Sequence, residues 1–110
     1  MEKVDALDAL AALAQETRLD VFRLLIQAGP QGLAAGEIAE RLGVRQNTMS
    51  SNLAILARAR LVTGERSGRS VRYRANLEGM RGLLAYLMQD CCGGTPEICA
   101  PLADAITCAG

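Results

Sequence analysis

Histidine is missing altogether from these 110 residues, tryptophan is missing too, and the aromatic side chains amount to one Phe and two Tyr. Without imidazole the chain lacks the commonest general base, the Ser-His and Cys-His nucleophile pairs and the usual nitrogen ligand of metal sites. Hydrolytic chemistry is therefore disfavoured, and the chain is not expected to be an enzyme. The shortage of aromatics implies a core of aliphatic side chains and alanine, as helical domains tend to have. No apolar run approaches the ~20 residues of a membrane span. The N-terminus is acidic, with no basic-then-apolar leader, so the expectation is a cytoplasmic protein with no targeting segment and no membrane partner. Net charge is absent as well, with 12 Lys and Arg against 12 Asp and Glu. That balance at first argues against a nucleic-acid partner.

What is present is helical periodicity in a chain long enough for one domain, whose modest core favours self-association. Val4, Leu7, Leu10, Ala11 and Ala14 predict a first amphipathic helix over residues 5–14. Leu19, Phe22, Leu25 and Ile26 continue the period in a second, from near Thr17 to Gly29-Pro30, a pair that cannot extend a helix. Residues 34–42 place Ile38, Ala39 and Leu42 on one face and stop at Gly43. Met49, Leu53 and Leu56 then mark a fourth helix whose other side is Gln46, Asn47, Thr48, Ser50, Ser51 and Asn52. Two short helices joined through a glycine turn, the second with a polar leading end, have the form of a helix-turn-helix. The period next changes to two. Residues 61–75 read as a hairpin turning at Ser67-Gly68-Arg69, with Ser70-Val71-Arg72-Tyr73-Arg74 alternating polar and apolar. A last helix is predicted over residues 78–90, with Met80, Leu83, Leu84, Leu87 and Met88 apolar, ended by Gly93-Gly94.

The zero net charge is an average over three unlike segments. Residues 1–40 hold three basic against seven acidic residues, a net of −4, and residues 75–110 hold one against four, a net of −3. Between them, Arg41, Arg45, Arg58, Arg60, Arg66, Arg69, Arg72 and Arg74 face Glu65 alone, a net of +7. An isolated charge run reads as a solvated surface. Here the basic block coincides with the helix-turn-helix and hairpin, and it is all arginine, whose fork suits phosphates and guanine edges. Double-stranded DNA becomes the expected partner. An interaction module that binds protein instead would not need an arginine-rich hairpin.

These segments resemble the ArsR-type winged-helix metalloregulatory repressors. Leu13-Ala14-Gln15-Glu16-Thr17-Arg18-Leu19-Asp20-Val21-Phe22-Arg23-Leu24-Leu25 is similar to the family's second-helix signature. Glu37-Ile38-Ala39-Glu40-Arg41-Leu42-Gly43-Val44 followed by Ser50-Ser51-Asn52-Leu53-Ala54-Ile55-Leu56 resembles its helix-turn-helix, and Leu61-Val62 through Arg69-Ser70-Val71-Arg72-Tyr73-Arg74 its wing. The resemblance covers about residues 5–90. It implies a fold that is mainly α with a small β-hairpin, a winged helix-turn-helix of about five helices plus a two-stranded wing. Residues 1–92 would form the DNA-binding and dimerisation domain and residues 93–110 a cysteine-containing tail that completes an inducer site. It further implies a homodimeric repressor on an inverted-repeat operator, with Leu7-Leu10-Ala14 and Leu83-Leu84-Leu87 suited to the dimer interface, part of each face serving as core. Groove contacts would fall to Gln46, Thr48, Ser50 and Ser51, and phosphate or minor-groove contacts to Arg66, Arg69 and Arg72. Where the family commonly has Ser, Pro and His, this chain has Arg45, Asn47 and Asn52. Asn47 is then expected to cap the fourth helix, with Ser50 three residues on.

All four cysteines lie in the last twenty residues, at Cys91, Cys92, Cys99 and Cys108. In a cytosolic chain such a gathering reads as a site rather than as disulfide staples. The family's cysteine positions in the first helix of the helix-turn-helix hold Ala34, Gly36 and Ala39 here, and its His-carboxylate zinc site cannot be reproduced fully without histidine. Two adjacent thiols, a Gly-Gly pivot and a third thiol seven residues on can fold into a three-sulfur cup, a soft donor set. Trivalent arsenic or antimony fits that count, with Cys91, Cys92 and Cys99 as metal ligands and no permanent cofactor. The resemblance agrees, because a family branch with such a pair and a third cysteine senses arsenite. Zinc, whose fourth ligand Cys108 could supply, cadmium, and thiol-based redox or persulfide sensing are the alternatives. A thiol oxidoreductase or arsenate-reducing enzyme would need an Arg soon after its cysteine, which Cys92-Gly93-Gly94-Thr95 lacks.

Overall fold

The computed structural model describes residues 1–89. The described residues form five α-helices and a small sheet: α1 (Lys3–Leu13), α2 (Glu16–Ala28), α3 (Ala35–Leu42), α4 (Gln46–Arg58) and α5 (Leu77–Leu87). Strands β2 (Val62–Ser67) and β3 (Ser70–Ala75) form the hairpin, with Gly68 and Arg69 between them and Ser67 opposite Ser70. A 3-10 turn (Gly29–Gln31) leads from α2 into a two-residue strand, β1 (Leu33–Ala34). This strand pairs antiparallel with β3, Leu33 opposite Tyr73 and Ala34 opposite Arg72, so the sheet order is β1-β3-β2. The expected wing is thus the outer part of a three-stranded sheet. Two residues are too few for periodicity to reveal a strand.

Helix boundaries follow local chemistry. The Asp5 carboxylate accepts the Glu2 N–H at 3.1 Å, and α1 opens at Lys3. Gln15 Oε1 accepts the Arg18 N–H at 2.9 Å, so α2 opens at Glu16. α4 opens at Gln46, preceded by an extended Arg45 that makes no side-chain cap. The expected Asn47 cap is not formed: Asn47 lies inside the first turn and its Oδ1 accepts the N–H of Thr48 at 2.8 Å. α5 runs from Leu77 to Leu87 rather than over residues 78–90. Its expected glycine terminator, the cysteines and the 93–110 tail lie outside the described residues. α3 and α4 close in the same way. Val44 N–H bonds to Ala39 O at 3.0 Å and Leu61 N–H to Leu56 O at 3.0 Å, across residues of positive φ, Gly43 at 65° and Arg60 at 64°.

The core is aliphatic as expected. Val21, Leu25, Ile38, Met49, Leu53, Leu56, Leu61 and Val62 are the largest fully buried side chains. On α1 the face suited to an interface points outward and none of it serves as core. It buries Ala6, Ala9 and Ala12 and leaves Val4 and Leu7 59% and 57% exposed, with Leu10 and Ala14 also outward. Alanines let α1 approach its neighbours closely, which larger side chains would prevent. On α2 the core stripe is Val21, Phe22 and Leu25, with Leu19 and Ile26 exposed. On α5 Leu83 is buried while Leu87 is 49% exposed.

Candidate nucleic-acid interface

α4 divides cleanly between core and surface. Met49, Asn52, Leu53 and Leu56 point inward, while Gln46, Asn47, Thr48, Ser50 and Ser51 are exposed. All four candidate groove residues therefore share the outer side of one helix. Gln46 lies against α3, its Nε2 3.3 Å from where a side chain on Gly36 would begin. Ser51 Oγ donates to Asn47 O one turn back, at 3.3 Å. α3 and α4 are joined by residues 43–45, and Val44 is half-buried while Arg45 is exposed. The short turn holds the reading helix to its supporting helix.

The wing arginines separate into two kinds. Arg66 and Arg69 are exposed at or beside the hairpin tip and have no hydrogen-bond or ion-pair partner among the described residues. Arg72 is only half-exposed. Its Nη1 donates to Gln31 O at 3.0 Å and to Gly32 O at 3.1 Å, and its Nη2 is 4.0 Å from Glu37 Oε1. Arg74 Nε donates to Pro30 O at 2.8 Å, with Nη1 3.5 Å from Glu65 Oε2. Arg41 and Arg45 are exposed on the helix-turn-helix itself. Of the three candidate phosphate contacts, two are thus free and one is engaged with the chain's own backbone.

Asn52, which the sequence places on the polar side of α4, is 7% exposed and is the one buried polar side chain among the described residues. Its Oδ1 accepts Arg18 Nη1 at 3.1 Å, and Arg18 Nε donates to Ala12 O in the last turn of α1 at 2.7 Å. One guanidinium thereby ties α1, α2 and the reading helix. The signal was in the spacing: Asn52 stands three residues after Met49 and four before Leu56, on the apolar stripe. Among the described residues no cluster of metal-ligating side chains occurs, and Cys91, Cys92 and Cys99 fall outside them. No described helix is long and apolar enough to cross a membrane.

A family model described as a helix-turn-helix domain matches residues 13–65. The putative arsenical resistance operon repressor ArsR of Halobacterium salinarum is 36% identical over 76 residues, which are 69% of this chain and 58% of that protein, so the match spans less than two thirds of the relative's length. Among solved structures, the homodimeric winged helix-turn-helix DNA-binding domain of Mb0332 from Mycobacterium bovis, a possible ArsR-family regulator, is 30% identical with a TM-score of 0.63. That alignment covers 78% of this chain and 79% of that one. The AntR antimony-specific transcriptional repressor is 28% identical with a TM-score of 0.58, over 72% of this chain and 70% of that one. With the helix-turn-helix and basic wing on the page and relatives of this identity and coverage, the chain belongs to the ArsR family of winged helix-turn-helix transcriptional regulators.

Proposed function

We propose that this regulator is a cytoplasmic homodimeric repressor that holds an inverted-repeat operator and releases it on binding trivalent arsenic or antimony through Cys91, Cys92 and Cys99. The observation that carries the DNA half is the exposed polar side of α4 together with the exposed wing arginines Arg66 and Arg69, which have no partner among the described residues. Gln46, Thr48, Ser50 and Ser51 read base edges, and Arg66 and Arg69 hold phosphates or enter the minor groove. The dimer buries the outward stripe of Val4, Leu7 and Leu10 on α1 with Leu87 on α5, placing two reading helices about one DNA turn apart.

The inducer half is supported by donor chemistry. Three soft thiols follow α5 closely in sequence, in a chain with no histidine, and the relatives include a putative arsenical repressor and an antimony-specific one. An ion that draws Cys99 toward Cys91 and Cys92 reorganises the end of the interface helix and so the spacing of the reading heads. The coupling is reciprocal, so saturating operator must weaken inducer binding by the same factor.

A gel-shift assay on the upstream DNA, repeated with arsenite, antimonite, cadmium, zinc and peroxide, tests both halves. Release by arsenite or antimonite is expected, lost in Cys91→Ser, Cys92→Ser and Cys99→Ser and kept in Cys108→Ser. Release by peroxide alone would favour the redox reading, and loss of response only in Cys108→Ser would overturn the ligand assignment.

A further inference from the structure

We infer that Arg72, with Arg74 beside it, positions the wing for DNA and does not itself contact phosphate. The two residues are two apart on β3 and therefore share one face of the sheet. They meet three consecutive backbone carbonyls, those of Pro30, Gln31 and Gly32, in the segment that links α2 to β1. These carbonyls leave a 3-10 turn, where regular secondary structure does not satisfy them, and the guanidinium groups supply charge-assisted donors. The linker can lie this close because position 32 is glycine. Its φ is +64°, and a Cβ there would collide with the Tyr73 carbonyl oxygen and crowd the Arg74 side chain.

The same guanidinium reaches the helix-turn-helix. Glu37 Oε1, 4.0 Å from Arg72 Nη2, also accepts the Ala34 N–H at 3.0 Å where α3 begins. Arg72 thus joins three parts: the segment linking α2 to β1, the start of α3 and the central strand of the wing sheet. Because α3 passes through a three-residue turn into α4, this junction sets the angle between the wing and the reading helix. An arginine whose Nη1 already donates to two carbonyls is poorly placed to fork onto a phosphate, whereas Arg66 and Arg69 donate to none of the described residues.

The inference rests on α4 and the wing being the DNA-binding face. It is tested by measuring affinity against salt on two duplexes, one selected by the wild-type protein from a random pool and one of random sequence. Each neutralised phosphate contributes about 0.9 to the slope of log affinity against log salt. Arg69→Gln is expected to lower that slope by about this amount on both duplexes. Arg72→Gln should leave the slope unchanged and weaken binding to the selected duplex by roughly tenfold. Arg72→Lys should behave like Arg72→Gln, since an ammonium cannot replace the fork on two carbonyls although it serves a phosphate well. A slope lowered in Arg72→Gln, wild-type affinity in Arg72→Lys, or unchanged affinity in both would overturn the inference. Thermal melts confirm that both variants are folded before comparison. Failure of the wild-type protein to bind either duplex would instead refute DNA binding by this face, and the wing's positioning with it.

Discussion

Ser51 and Asn52 are adjacent polar residues on one helix, and their roles are opposite. Ser51 is exposed, with its hydroxyl turned to the helix backbone, while Asn52 is buried and accepts from Arg18. A buried acceptor that satisfies a charged donor is costly to remove, so Asn52→Ala should lower the unfolding free energy by about 1–3 kcal/mol. Ser51→Ala, at an exposed position, should change it by less than about 0.5 kcal/mol. Urea unfolding of the two variants checks this, and equal losses would mean that the Arg18 contact carries no net stability. Composition marked both residues alike as recognition-helix polar groups. Only their phase relative to Met49 and Leu56 distinguishes them, and that phase becomes decisive once the helix has a core to face.

The helices of the reading head show how an element can be legible while its ending is not. Both α3 and α4 close through a residue of positive φ, but one is Gly43 and the other Arg60. A side chain in the left-handed region costs roughly 1–2 kcal/mol, so Arg60 stands where glycine would be less strained. Its carbonyl is held by Asn76 Nδ2 at 2.9 Å, and α5 packs so closely over it that a Cβ on Gly79 would collide with that oxygen. The tertiary contact sustains the backbone shape. Arg60→Gly is accordingly expected to raise stability by about 1 kcal/mol, read as a higher midpoint in thermal unfolding. A lower midpoint would indicate that the Arg60 side chain makes a stabilising contact outweighing the strain. The hairpin was legible from its two-residue alternation and glycine turn. Its third strand was not, because β1 exists only by pairing with β3.

For the whole molecule the informative surface is the one the core leaves out. α1 turns its alanines inward and presents Val4, Leu7 and Leu10 to solvent, with Leu87 of α5 also exposed. Covering a side chain of this size is worth about 1.5–3 kcal/mol, stabilisation that a monomer forgoes. A carboxylate on this face should therefore oppose self-association without touching the fold. If this stripe forms the proposed dimer, the wild type is expected to sediment as a dimer and Leu7→Asp and Leu10→Asp as monomers that lose affinity for a two-half-site duplex. Dimers that persist in both variants would place the interface elsewhere.

The sequence alone determined the order of the helices, the helix-turn-helix and the wing, and the segregation of its charges into −4, +7 and −3. These properties are local: they follow from periodicity, turn residues and the composition of short segments, which do not depend on what packs against them. The tertiary structure decided which face of α1 is core, that Asn52 is buried, and that Arg72 and Arg74 grip the chain's own carbonyls while Arg66 and Arg69 have no partner among the described residues. Such assignments depend on partners distant in sequence, 34 residues away for Asn52 and 41 for the Arg72 contact with Gln31. An arginine or an asparagine carries the same donors and acceptors wherever it stands, and the fold determines whether those groups are used within the chain or remain available to DNA.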